Sequence, residues 1–251
     1  MGRGAAEVVD IEGVRFAWPG ADGRRRDGDA ASPQRQFRID VAGFRMAPGE
    51  RLLLLGASGS GKSTLLGLIA GIVAPDAGRI GILGTDIARL GAAARDRFRA
   101  EHIGVIFQMF NLLPYGSVLD NVLLPLAFAP ERAARVAARG GGDGEATRLL
   151  QRLGLDKADI AQRTAARLSV GQQQRVAVAR ALIGTPELVI ADEPTSALDA
   201  DRRDAFLALT FGEIEAAGSA LLMVSHDAAI AVRFDRVVQL ADLIAAAEVV
   251  A

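Results

Sequence analysis

Apolar residues fall along the chain in short unbroken runs set between longer helix-like stretches. Residues 51–55 read Arg-Leu-Leu-Leu-Leu, 188–191 Leu-Val-Ile-Ala and 220–224 Ala-Leu-Leu-Met-Val. Runs of that length without polar alternation are strands covered on both faces. Residues 8–18 and 37–46 behave differently, mixing apolar and polar positions; Pro19-Gly20 and Pro48-Gly49 turn the chain after them. Helical composition is expected over 62–70, 92–101, 145–153, 171–183 and 201–217. The stretch from 129 begins as a helix and runs into Gly140-Gly141-Gly142, read as a loop. Segment 20–36, rich in Gly, Asp and Arg, reads as an exposed loop in which Arg24, Arg25 and Arg26 are solvated. Buried strands alternating with helices predict an α/β fold with a mainly parallel sheet. No internal repeat and no heptad register is present.

Composition narrows the picture. A chain of 251 residues, half of them hydrophobic, can bury one sizeable core with an appended subdomain. A net charge of -1 gives no electrostatic case for nucleic acid, so none is expected as a partner. With no cysteine, disulfides and thiolate metal sites are excluded. Lysine occurs only at Lys62 and Lys157. Residues 1–16 lack the apolar core of a secretory signal, and the uncharged run 103–119 carries Gln108, Asn111 and Pro114, too short and too polar for a membrane span. The expectation is a chain soluble by itself, held at a membrane only by a partner.

The strongest local signal is Gly56-Ala57-Ser58-Gly59-Ser60-Gly61-Lys62-Ser63-Thr64, which follows a strand and opens a helix. That context is what a phosphate-binding loop requires. Glycines let successive backbone N–H groups turn inward at phosphate oxygens, and the helix adds the positive end of its dipole. Lys62 would reach the β- and γ-phosphates, and the Ser63 hydroxyl would ligate Mg²⁺. Further on, the apolar run 188–191 ends in Asp192-Glu193-Pro194. Asp192 can hold the metal shell, and Glu193 can polarise an attacking water as general base.

Between these lies Leu168-Ser169-Val170-Gly171-Gln172, then Gln173-Gln174-Arg175-Val176-Ala177-Val178-Ala179-Arg180-Ala181-Leu182. Ser169 stands where a helix N-cap belongs, and the helix N-terminus it opens is a second anion site. With this segment the chain resembles the ABC transporter ATPases, whose signature sequence it matches apart from Val170, where the family usually has glycine. The resemblance covers about residues 8–242. It implies a P-loop NTPase (RecA-like) core with an N-terminal antiparallel β subdomain and an α-helical signature subdomain. The whole is expected as a single nucleotide-binding domain over 1–251, with the core at about 1–107 and 187–251 and the helical part at about 108–186.

The resemblance also assigns further residues. Gln108 resembles the glutamine that contacts metal and water and senses the membrane partner. Ser196-Ala197-Leu198-Asp199 resembles the loop at the dimer seam, with Asp199 near nucleotide. His226 resembles the switch histidine on the γ-phosphate. Trp18 takes the place of the aromatic residue that stacks on adenine, with Phe16 the alternative. Two such chains are implied to pair head to tail, so that ATP with Mg²⁺ is held by Gly56, Ser58, Gly59, Ser60, Gly61, Lys62, Ser63 and Thr64 of one copy and by Ser169, Gly171 and Gln172 of the other, either a second copy or a paralogue. Glu193, His226, Gln108 and Lys62 form the expected catalytic set, and Ser63, Gln108 and Asp192 the metal set.

Residues 107–114 and 120–126 resemble the lipoprotein-release and macrolide-export subgroup, which favours export through a separate integral membrane permease that holds this chain at the cytoplasmic face of the membrane. Met109, Phe110, Leu112 and Leu113 are either a docking surface for it or core. The chain ends soon after His226, so no C-terminal regulatory domain is expected. Coiled coils, zinc cysteines and a second ATPase unit, the marks of DNA- or ribosome-directed relatives, are not found in the sequence. The remaining alternative is an ABC ATPase of a non-transport signalling or cell-division complex.

Overall fold

The structure is a computed structural model and describes residues 7–18, 38–156, 164–196 and 198–244. The expected loop 20–36, Lys157 and Ala197 lie outside the described residues. Nine strands are described: β1 (Val9–Ala17), β2 (Arg38–Met46), β3 (Arg51–Leu55), β4 (Ala77–Ile82), β5 (Thr85–Asp86), β6 (Ile103–Ile106), β7 (Leu188–Asp192), β8 (Ala220–Ser225) and β9 (Arg236–Gln239). The helices are α1 (Lys62–Ile69), α2 (Ala92–His102), α3 (Val118–Leu123), α4 (Pro130–Ala137), α5 (Gly142–Arg152), α6 (Val170–Leu182), α7 (Ala200–Ala217) and α8 (Leu240–Leu243).

One sheet has the order β6-β7-β8-β3-β9, every pair parallel; the other has the order β2-β1-β4-β5, every pair antiparallel. The unbroken apolar runs are the central strands of the parallel sheet, and pleating divides each run between two cores. Leu53, Leu55, Val189, Ala191, Leu221 and Met223 face a core shared with α3, α5, α6 and α7. Leu52, Leu54, Leu188, Ile190, Leu222 and Val224 face the other, shared with α1 and with β1, β2 and β4. The α/β class, the parallel sheet and the antiparallel subdomain are therefore as the sequence indicated. Between β6 and β7 the described residues are helices, short turns and one isolated bridge.

Two details differ from expectation. The helix read from 145 begins at Gly142, so the triple glycine is partly helical; Gly141 at φ 98° makes the entry, and Asp143 and Glu145 in the first turn suit its positive end. Strands β4, β5, β6 and β9 were not foreseen. The first two are short or glycine-broken, β6 is four residues long with Gly104 inside it, and β9, at the sheet edge, has no fully buried residue, so none gives a long hydrophobic run.

In a parallel sheet all carboxyl ends lie along one edge, and the loops that leave that edge form the crevice where ligands sit. Here β3 runs into the glycine loop, β7 into Glu193, β8 into His226 and β6 toward Gln108. Chain segments more than a hundred residues apart are so delivered to one place.

Candidate functional site

The glycine loop curls because Gly59 and Gly61 take left-handed backbone at φ 77° and 98°. Gly61 is the N-cap of α1 and offers no side-chain cap, so the first N–H groups of the helix are left to face the loop interior. Lys62 is buried; its Nζ donates to the carbonyls of Gly56 and Ala57, at 2.8 Å each, and lies 3.2 Å from Glu193 Oε1. Ser60 Oγ closes the loop from behind, donating to Ala57 O at 2.7 Å.

Glu193 is the turning point of the site. It is one of few non-glycine residues with left-handed backbone, at φ 47°, a conformation costing on the order of 1–3 kcal/mol. Its N–H donates to Val224 O at 3.0 Å, anchoring it to β8. Its buried carboxylate reaches Lys62 through Oε1 and His226 Nδ1, 2.6 Å away, through Oε2. A carboxylate is thereby held between a buried ammonium and an exposed imidazole.

Ser63 Oγ donates to Asp192 Oδ2 at 2.7 Å, while Asp192 Oδ1 is buried with no hydrogen-bond partner among the described residues. An unmet carboxylate oxygen beside a hydroxyl, at the floor of a phosphate loop, is the hard-oxygen set that Mg²⁺ takes. Among the described residues no cluster of three His, Cys, Asp or Glu that could hold a metal by themselves is found. The residues present therefore fit magnesium held by few protein ligands together with phosphate oxygens.

These groups border one open cleft of about 410 Å³ lined by Trp18, Ser58, Gly59, Gly61, Lys62, Ser63, Thr64, Gln108, Asp192, Glu193, Ser196 and His226. Eleven residues singled out in the sequence are thus brought together, and Gly56 and Ser60 stand directly behind them. Ser196 was known only as part of a motif. Trp18 is 45% exposed and donates from Nε1 to Thr64 Oγ1 at 3.2 Å; Phe16, its edge-on neighbour at 5.1 Å, is buried in the β-sheet core. Of the two aromatic alternatives, only Trp18 lines the cleft.

Ser169, Gly171, Gln172 and Asp199 do not reach this cleft. Ser169 and Gln172 form a reciprocal cap on α6: Ser169 Oγ accepts from Gln172 N–H at 3.3 Å, and Gln172 Oε1 accepts from Ser169 N–H at 2.9 Å. Asp199 caps α7 through Arg202 N–H at 2.9 Å and pairs with Arg202 Nε at 3.3 Å. The C-terminal half of α6 supports the loop beyond Gln108. Arg180 donates from Nη1 to Asn111 O at 2.7 Å and from Nη2 to Phe110 O, holding two residues at left-handed φ of 49° and 58°. Burial pushes the Arg180 pKa below its usual value. No sequence pattern marked that contact, because its acceptors are backbone carbonyls.

Of the four residues read as docking surface or core, Met109 is 81% exposed, whereas Leu112 packs against the helix-side core.

A family profile described as "ABC transporter" matches residues 39–196. The chain is similar to the lipoprotein-releasing system ATP-binding protein LolD of Anaeromyxobacter dehalogenans, 45% identical over 238 residues, 95% of this chain and 92% of that one. It is similar to the macrolide export ATP-binding/permease protein MacB of Rhodopseudomonas palustris, 41% identical over 195 residues, 78% of this chain and 28% of that much longer one. A dimeric post-hydrolysis state of the ATP-binding cassette MJ0796 bound to ADP and Pi superimposes with a TM-score of 0.73 at 30% identity, covering 92% of this chain and 93% of that one.

Proposed function

The chain belongs to the ABC transporter family as an ATP-binding, ATP-hydrolysing subunit that works with Mg²⁺, and on that premise we propose that it drives export by a separate integral membrane permease, hydrolysing ATP as a head-to-tail pair. Among the described residues no helix is long and apolar enough to cross a membrane. The lipoprotein-releasing relative, matched over 92% of its length, is named as the ATP-binding protein of its system; on that likeness the permease is assigned to another polypeptide, and this subunit to the cytoplasmic face, peripheral through that partner. Residues 108–186 are taken as the helical subdomain that meets it. Export follows the names of the lipoprotein-releasing and macrolide-export relatives.

The observation that carries the catalytic reading is Glu193, strained at the mouth of the phosphate loop between Lys62 and His226. ATP enters with adenine against Trp18 and its phosphates along the N–H groups of 58–64. Ser63 and Asp192 would hold the magnesium, which supplies positive charge to the phosphate oxygens. Lys62 turns its ammonium to the γ-phosphate. Glu193 accepts a proton from the attacking water as the new oxygen–phosphorus bond forms and the bond to ADP breaks. His226 holds the γ-phosphate oxygens and the carboxylate in register, and Gln108 orients the water from the β6 side.

One chain leaves the capped start of α6 outside its own cleft. Placed across the cleft of a second copy, Ser169, Gly171 and Gln172 add a second helix N-terminus to the same γ-phosphate, with Asp199 at the seam. The similar cassette MJ0796 is named as dimeric, which supports pairing of two copies.

Replacing Glu193 with glutamine keeps the shape and removes the base. Turnover should fall by about 10²–10⁴-fold, and the variant with ATP and magnesium should run as a dimer in light scattering while the ADP form runs as a monomer. Steady-state hydrolysis at the parent rate would refute Glu193 as base. An ATP form that stays monomeric, alone and with its permease, would refute the paired site.

A further inference from the structure

Gln174 lies in the N-terminal half of α6 with 1% of its surface exposed. Its Nε2 donates to the backbone carbonyl of Pro194. Its Oε1 is buried without a partner among the described residues. Methionine would fill nearly the same volume and strand no polar atom, so packing by itself gives no reason for an amide here.

The acceptor explains it. Pro194 follows Glu193, whose left-handed backbone must be held from outside to persist. One hold is the Glu193 N–H on Val224 O at 3.0 Å, from the sheet. A second is local, Ser196 N–H on Glu193 O at 3.3 Å. Gln174 supplies a third from the helical side, on the very next carbonyl. It does so from the same helix that Ser169 caps.

We infer that Gln174 is a positioning residue for hydrolysis: its amide donor on Pro194 O holds the turn that aims the Glu193 carboxylate, and ties that aim to the helix whose capped N-terminus the proposed pair sets against the partner copy. The inference rests on Glu193 being the base. Gln174 does not line the cleft and is given no part in binding ATP, so its loss must separate turnover from affinity.

The test uses the full chain with Gln174→Met, Gln174→Glu and, as reference, Glu193→Gln. For Gln174→Met we expect kcat to fall by about tenfold to a hundredfold, the loss that a misplacement near 1 Å produces. ATP affinity, read by fluorescent-nucleotide titration, should stay within about twofold, because the loop at 56–64 is untouched. In Gln174→Glu a protonated carboxyl can donate to Pro194 O and a carboxylate cannot. Its kcat relative to the parent should therefore climb as pH is lowered from about 8 to 6, buried carboxyls titrating well above their usual range. Parent-like kcat in Gln174→Met overturns the inference. So does a parallel loss of affinity and kcat, which marks a packing role, or a Gln174→Glu profile that tracks the parent at every pH. Should Gln174→Met not fold, the pH profile of Gln174→Glu decides alone. Turnover surviving in Glu193→Gln would remove the base assignment itself, whereas an inert Glu193→Gln beside an unimpaired Gln174→Met sinks only the role given to Gln174.

Discussion

Gly104 offers a quantitative test of how the helical part is joined to the parallel sheet. It lies in β6, directly under the last turn of α6. A Cβ built on it would stand 2.3 Å from Ala181 O and 3.0 Å from Ala181 C, both backbone atoms that no side-chain rotation can clear. Gly104→Ala must therefore move helix from strand by roughly 1 Å to restore ordinary contact, an overpacking that costs about 1–3 kcal/mol. The displacement has a second consequence. Ala181 O accepts from Arg132 Nη2 at 3.0 Å, and Arg132 also donates from Nε to Ile183 O at 2.8 Å and from Nη1 to Ala100 O at 3.1 Å. Arg132 is almost wholly buried, and burial, with Arg135 nearby, pulls its pKa down to about 10, so the charge depends on those carbonyls. Loosening one charged hydrogen bond brings the total to about 2–4 kcal/mol. For a chain of this length that lowers the melting temperature by roughly 5–15 °C. Thermal unfolding followed by circular dichroism measures it. Gly212→Ala is the opposite control: its Cβ would meet nothing within 4 Å, in the middle of α7, so it should stabilise by about 0.5–1 kcal/mol. A Gly104→Ala melting temperature within about 1 °C of the parent would refute the close-contact reasoning.

Two other outcomes follow from the same geometry. Trp18→Ala should weaken ATP binding by about tenfold, the worth of one base–aromatic stack, and Trp18→Phe should recover most of it; unchanged nucleotide affinity in Trp18→Ala would show that adenine sits elsewhere. The Arg148 guanidinium, hydrogen-bonded through Nε to Glu145 Oε2 at 2.8 Å, holds the Glu145 carboxyl below its usual 4.5. A depressed folded-state pKa stabilises above the unfolded value and is lost as pH falls through the folded one. Melting temperature should therefore drop in acid below about pH 4.5 less steeply for Arg148→Leu than for the parent, and parallel acid limbs would exclude the pair as a source of that dependence.

Much of this molecule is legible without coordinates. The strands at 51–55, 188–191 and 220–224 announce themselves, because a strand buried on both faces must be apolar wherever it is covered, which leaves out only the half-buried Arg51 at an end. The phosphate loop and the acidic pair are legible because their chemistry needs fixed residue types at fixed spacing. Only the tertiary structure decides where these pieces meet: the parallel order β6-β7-β8-β3-β9 brings Gln108, Glu193, His226 and the glycine loop to one edge. It also decides which aromatic faces the cleft, since Phe16 and Trp18 differ by two positions and point to the same side of a strand until the strand ends at Ala17. The supports were silent in the sequence. Arg180, Arg132 and Gln174 all donate to backbone carbonyls, and a carbonyl is the same at every residue, so no pattern of side chains can point to it.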